Sequence, residues 1–142
     1  TLKKLNPRLK LSGIEINENA AAEAQALNIA DVTCGTILER LDHELVDLTF
    51  TAGVLIHINP EMLNAVYDNL VRLSKRYILI VEYYNPTPVV VQYRGNENRL
   101  FKRDFAGELI EQYNLQLLDY GFVYRRDNWA PQGDITWFLL EK

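Results

Sequence analysis

Apolar positions along this chain recur at two alternating spacings, and the alternation predicts strand–helix units. Residues 9–16 read as a short strand containing Leu9, Leu11, Ile14 and Ile16. Asn17 then offers a side chain that can accept from the free amides of a first helical turn, with Glu18 opening the helix. Ala20, Ala21, Ala24 and Leu27 share one face of that helix. Side chains this small suit close packing against a sheet. A second strand is predicted at about residues 32–37. Residues 47–58 are apolar enough for a strand buried on both faces, as parallel strands are. Asn59, Pro60 and Glu61 form a helix start: a cap, a proline at the first position and an acid in the first turn. Met62, Leu63, Val66, Leu70 and Leu73 carry the helical period, and Lys75 and Arg76 fall in the predicted last turn, where cations favour the dipole. Residues 77–84 are a further buried strand.

The pattern then changes. Residues 85–103 contain Pro86 and Pro88 and show no periodicity. Asp104 can cap a helix that turns Phe105, Leu109, Ile110 and Tyr113 inward. Residues 115–125 and 135–140 are strand-like and are joined by a loop containing Pro131, Gln132 and Gly133. No helix fits between them, so they should pair antiparallel. Residues 1–8 are basic and resemble the tail of a helix. The order predicts one α/β domain over residues 1–142: a mostly parallel sheet with helices on both faces and a C-terminal antiparallel hairpin.

Composition narrows the function classes. The 142 residues are 48% apolar and 24% charged, ordinary for a globular domain with a sizeable core. A net charge of -4 argues against a nucleic-acid surface, because phosphate binding needs a basic face. No apolar run approaches the roughly 18 residues of a membrane helix, so no membrane partner is expected and a cytoplasmic location is the default. The single cysteine, Cys34, excludes an internal disulfide and is read as a buried, inert thiol. Two separated histidines and one cysteine make no metal site.

Candidate chemistry sits at predicted strand ends. Glu15 closes the first strand, where an acid in a dinucleotide-type α/β fold holds the ribose hydroxyls of an adenosine cofactor. One carboxylate can accept from both ribose hydroxyls. The bland alternative, a solvated acid beside a helix N-terminus, is equally consistent with the spacing. The glycine-rich turn that should precede this strand is absent, as is the strand before it. Thr51, Ala52, Gly53 and Val54 end the next strongly apolar run, and Gly53 permits close backbone approach. His57 follows as a candidate base or a loop anchor, and His43 lies in a charged, exposed-looking stretch. Glu82, Tyr83 and Tyr84 close the following strand. Arg94, Arg99, Lys102 and Arg103 place four cations in ten residues of an acidic chain. Arginine matches carboxylate or phosphate bidentately, so this reads as an anion-binding, lid-like segment; a solvated loop, partly paired by Glu97 and Asp104, is the alternative. Trp129 and Trp137 read as core residues or loop anchors.

These motifs resemble a class I S-adenosylmethionine-dependent methyltransferase. Gly13-Ile14-Glu15-Ile16-Asn17 is similar to the acidic motif after the second strand of that class, and residues 47–58 to the fourth-strand motif. Residues 82–104, with Tyr93-Arg94-Gly95 and Leu100-Phe101-Lys102-Arg103-Asp104-Phe105, resemble the methylases associated with pseudaminic acid biosynthesis. Asp119-Tyr120-Gly121-Phe122 and Asp134-Ile135-Thr136-Trp137-Phe138 extend that likeness over nearly the whole chain. The resemblance implies a Rossmann-like methyltransferase sheet lacking its first strand and glycine-rich loop, with S-adenosylmethionine as cofactor. It assigns Glu15, Ile16, Thr36, Ile37, Ala52, Gly53 and Val54 to the cofactor. Thr36 departs from the acid that often faces the adenine amino group. It assigns His57 or Glu82 as base when the acceptor is a hydroxyl. Tyr83, Tyr84, Tyr93, Arg94, Arg99, Lys102 and Arg103 would contact a small anionic acceptor, such as a sugar or sugar nucleotide.

Two other classes fit less well. One is an inactive methyltransferase-like scaffold, favoured by the missing glycine turn. The other is a nicotinamide-dependent oxidoreductase, disfavoured by the terminal hairpin. The absent central strand implies one of three outcomes: a longer protein, direct pairing of the flanking strands, or a homodimer in which a second copy supplies the contacts.

Overall fold

Parallel strands need a crossover to return in the same direction, and the helix starts at Asn17 and Asn59 supply two. The computed structural model describes residues 2–40, 42–93 and 95–142. Their contacts group into two units, residues 1–41 and 42–142.

The first unit contains α1 (Leu2–Leu5), β1 (Ser12–Glu15), α2 (Glu18–Ala26) and β2 (Asp31–Cys34). Asn17 caps α2 as expected, its Oδ1 accepting from Ala20 N at 3.0 Å. The two strands pair in parallel, Glu15 opposite Cys34. Both are shorter than the sequence reading: β1 begins at Ser12 and β2 ends at Cys34. Cys34 is exposed, which corrects the expectation of a buried thiol. An amphipathic pattern of only four residues does not fix which face is covered.

The second unit is built on a four-stranded sheet of order β3-β4-β8-β7, comprising β3 (Val46–Ala52), β4 (Ser74–Glu82), β7 (Gln116–Val123) and β8 (Ile135–Glu141). β3 and β4 are parallel; β8 runs antiparallel to both β4 and β7. The expected parallel sheet with a terminal antiparallel hairpin is therefore present. Among the described residues of this unit β3 has β4 on one side and no strand on the other. α3 (Leu63–Leu73) and α4 (Phe105–Tyr113) cover one face. Thr49 Oγ1 on that face donates to Leu70 O of α3 at 2.9 Å. Ile78, Ile80, Leu140, Val66, Leu109 and Phe105 form its core, each at most 2% exposed. On the opposite face Leu48 and Phe50 are exposed, and among the described residues of this unit no helix covers them.

Three local departures have physical causes. Residues 54–58 are not strand: Gly53 adopts a left-handed φ of 65°, which ends β3, and a 3-10 turn follows at Leu55–His57. A second turn, Pro60–Met62, leads into α3, with Asn59 Oδ1 accepting from Glu61 N at 3.1 Å. Lys75 and Arg76 lie in β4, because the chain passes from α3 to strand at Ser74 without a loop. Residues 85–103, which show no pattern in sequence, contain a hairpin of β5 (Val89–Tyr93) and β6 (Asn96–Lys102). Val89, Val90 and Val91 pair with Lys102, Phe101 and Leu100, and Pro86 and Pro88 stay outside the ladder, where their missing amides are harmless.

Candidate active site at the carboxyl ends of the strands

In the first unit, Glu15, Thr36 and Ile37 lie at the carboxyl end of the β1–β2 pair, joined by Gly35 N donating to Glu15 O at 3.0 Å. Glu15 is half-buried, and its Oε1 accepts from Asn17 N at 2.8 Å. That bond turns the carboxylate toward the N-terminus of α2. Oε2 has no partner among the described residues and is available to a hydroxyl. Ile16 is 72% exposed beside it, an apolar surface at the same edge. Thr36 Oγ1 accepts from Leu38 N at 3.2 Å, so its hydroxyl first serves its own loop.

In the second unit, β3 and β4 end together, with Ala52 opposite Val81. Gly53 N donates to Val81 O at 2.9 Å. The next two amides turn inward: Val54 N and Leu55 N donate to the same oxygen, Glu82 Oε1, at 3.0 and 3.1 Å. Glu82 is 2% exposed. Burial pushes its carboxyl above the usual range, and the donors from Val54 and Leu55 oppose that shift. The Thr51 hydroxyl also favours the charged form, yet it is not aligned as a hydrogen bond. Thr51 Oγ1 and Glu82 Oε2 are both buried without a partner among the described residues. Leu55 and Ile56 are buried below the turn, while Ala52, Val54 and His57 face outward. His57 N donates to Val54 O at 3.0 Å, closing the turn on itself.

The hairpin is brought to this edge, with β6 packing against the Leu55–His57 turn. Lys102 Nζ stands 5.1 Å over the Tyr83 ring, a cation–π geometry. A Cβ at Gly133 would meet Tyr83 Oη at 2.5 Å, so the β7–β8 loop approaches the Tyr83 hydroxyl closely at a residue without a side chain. Tyr84 is exposed and its ring lies 5.8 Å from that of Phe138. Tyr93 and Arg99 occupy hairpin strands, with their side chains outside those described, and Arg94 lies outside the described residues.

Arg103 behaves differently from the expected anion ligand. Its Nε donates to Glu108 Oε1 at 2.5 Å, and the Tyr67 hydroxyl donates to Glu108 Oε2 at 2.7 Å. One acid on α4 thus neutralises the arginine and ties α4 to α3. Asp104 caps α4 as expected, its Oδ1 accepting from Gly107 N at 2.8 Å. Nothing local in the sequence marks this triad, since Tyr67 and Glu108 lie 41 residues apart and meet only through the packing of α3 on α4. Trp129 is 95% exposed, which corrects its reading as a core residue or anchor. Its loop is held by Asp127 Oδ1, which accepts from Trp129 N and Ala130 N at 2.8 and 2.7 Å. Trp137 is half-buried and lies over Gly121.

Among the described residues there is no cluster of three metal-ligating side chains, and no helix is long and apolar enough to cross a membrane.

This architecture is the class I methyltransferase fold, as solved structures show. The chain superposes with a TM-score of 0.74 on an S-adenosylmethionine-dependent methyltransferase from Methanosarcina mazei, at 11% identity, covering 99% of this chain and 85% of that one. It superposes equally well (0.74) on Burkholderia thailandensis 1,6-didemethyltoxoflavin-N1-methyltransferase, solved with its substrate and S-adenosylhomocysteine, at 15% identity over 97% of this chain. The N-methyltransferase NodS from Bradyrhizobium japonicum gives 0.71 at 16% identity, covering 99% of this chain and 78% of NodS. The chain spans 63% of the Burkholderia enzyme and 59% of a Synechocystis magnesium protoporphyrin IX methyltransferase. At these identities the likeness is one of fold. No family model matches the sequence, and no curated protein matches it.

Proposed function

We propose that the chain carries out S-adenosylmethionine-dependent methyl transfer to a small-molecule acceptor. The observation that carries this reading is an acid at the end of β1 together with a glycine turn at the end of β3, on a methyltransferase fold. Glu15, with Oε2 available, fits a ribose; Ile16, Thr36 and Ile37 flank that end of the first unit and fit the adenosine moiety. Ala52, Gly53 and Val54 present backbone and small side chains and fit the methionine end. When bound, the cofactor supplies an electrophilic methyl group on a sulfonium. An acceptor lone pair forms the new bond to carbon as the sulfur takes the electron pair of the old one. The protein's part in such an in-line displacement is chiefly positioning. A hydroxyl acceptor must also lose a proton, and His57, exposed on the turn, is the proposed base.

The acceptor is proposed to lie against Tyr83, Tyr84 and the hairpin. Lys102, held at Tyr83, and Arg99 and Arg94, by sequence position, favour an anionic group such as that of a sugar nucleotide, in line with the resemblance to pseudaminic acid-associated methylases. Arg103 contributes less to that charge because Glu108 holds it. Titration calorimetry with S-adenosylhomocysteine tests the reading: micromolar binding is expected, weakened at least about tenfold by Glu15→Ala. That factor follows from losing hydrogen bonds to a charged group, worth about 1.5–3 kcal/mol. Absence of heat and of thermal shift overturns it.

A further inference from the structure

A buried carboxylate at the end of a strand that ends at a candidate site suggests a base, and its surroundings decide otherwise. Glu82 is 2% exposed, and its Oε1 is already occupied by two amides, Val54 N and Leu55 N. Its Oε2 is buried on the side of the Thr51 hydroxyl, itself 3% exposed, and both lack a hydrogen-bond partner among the described residues. An acceptor cannot reach either oxygen without displacing the turn. The turn, in contrast, depends on this side chain. Gly53 at φ 65° reverses the chain and has one backbone tie, to Val81 O. The following amides point into the protein, where no strand or helix carbonyl receives them. A buried amide without an acceptor bears its full desolvation penalty. Leu55 and Ile56, directly after these amides, are buried, and His57 follows on the outward side.

We propose that Glu82 is a positioning residue, which holds the Gly53–Val54–Leu55 turn in the shape that receives the cofactor's methionine end and sets the position of His57. It is an acceptor of two backbone amides and takes no proton from the substrate. The consequence for cofactor binding rests on the methyltransferase reading; the role in the turn does not.

Glutamine keeps one carbonyl oxygen for the two amides and places its NH2 group toward the Thr51 hydroxyl, which can accept. Leucine keeps the volume and removes the acceptor. Amide hydrogen exchange on the unliganded protein is the first readout. Glu82→Leu is expected to speed exchange at Val54 and Leu55 by about tenfold or more, with the core amides of Ile78 and Ile80 unchanged. Glu82→Gln is expected to keep the protection of Val54 and Leu55 within about threefold. Calorimetry with S-adenosylhomocysteine is the second readout: affinity near that of the native protein for Glu82→Gln, and at least about tenfold weaker for Glu82→Leu. If Glu82→Leu does not fold, Thr51→Val and Glu82→Gln still read the site, and both should keep Val54 and Leu55 protected. Rapid exchange in Glu82→Gln, or native protection in Glu82→Leu, overturns the proposal. Failure of the native protein to bind S-adenosylhomocysteine removes the methyltransferase reading, and the exchange contrast still decides what Glu82 does.

Discussion

Replacing Glu108 by alanine should cost the second unit about 3 kcal/mol, and the figure follows from what its two oxygens hold. Oε1 accepts from Arg103 Nε at 2.5 Å and Oε2 from the Tyr67 hydroxyl at 2.7 Å. The Arg103 and Glu108 side chains are 20% and 29% exposed, so water screens the pair only in part. A hydrogen bond to a charged group contributes about 1.5–3 kcal/mol, and stripping the acceptor from a buried hydroxyl costs a similar amount. Tyr67 is 1% exposed, so its hydroxyl finds no water in exchange. Against this, alanine gains a few tenths of a kcal/mol in helix propensity, and partial exposure trims the arginine contribution. Glu108→Gln keeps an acceptor for the tyrosine and loses the charge, for about 1–1.5 kcal/mol. Urea unfolding followed by fluorescence measures both; by melting, the alanine variant should fall by about 6–12 °C, at about 2–4 °C per kcal/mol for a chain near this size. Tyr67→Phe combined with Glu108→Ala should be less costly than the sum of the two. A loss below about 1 kcal/mol for Glu108→Ala, or strict additivity with Tyr67→Phe, would show that the triad does not form and would leave Arg103 free for the proposed acceptor role.

Alkaline stability should respond to the same group. Burial, with the Glu108 carboxylate, pushes Tyr67 well above its ordinary value of 10.0, so the unfolded chain releases this proton first. Stability contributed by Tyr67 is complete below pH 10 and declines as pH rises beyond it; Tyr67→Phe should flatten that decline in pH-dependent melting. Glu82 shifts upward through burial, so the folded state favours the protonated acid and its ionisation opposes folding as pH rises above the ordinary carboxylate range. Glu82→Gln should therefore melt at or above the native temperature at neutral pH, with the difference vanishing in acid; a difference that grows in acid contradicts the burial argument. Gly53→Ala meets nothing within 4 Å, so only its backbone at φ 65° resists, for about 1–2 kcal/mol in a thermal melt. Gly121→Ala would place a Cβ 2.6 Å from Trp137 Nε1, and should cost about 1–3 kcal/mol with a visible change in near-UV dichroism.

The parts of the fold that were legible in sequence are those with a local cause. Asn17 and Asn59 cap as their side-chain chemistry dictates. Residues 135–140 and 115–125 pair because no crossover fits between them. The hairpin of β5 and β6 was hidden because two prolines and scattered cations mask a Val89-Val90-Val91 run whose partner, residues 100–102, is apolar at only two positions. Residues 54–58 read as strand because their composition is apolar, whereas the left-handed Gly53 is a single torsion that composition does not carry. Glu82 and Arg103 were found as candidates by position at strand and segment ends. Their partners, the Val54 and Leu55 amides and Glu108, depend on tertiary placement. Cys34 and Trp129 are exposed against expectation for a similar reason: an apolar side chain at the end of a four-residue strand or in a loop says nothing about whether anything covers it.

The central claim is that this chain binds an S-adenosyl cofactor, with the acid of β1 and the turn after β3 each proposed as a contact, and S-adenosylhomocysteine titration of the native, Glu15→Ala and Gly53→Val proteins tests it most directly. The account predicts binding to the native protein and at least about tenfold weaker binding to each variant, as loss of a charged hydrogen bond or a distorted turn requires. Native affinity in both variants, or no binding by the native protein, would contradict it.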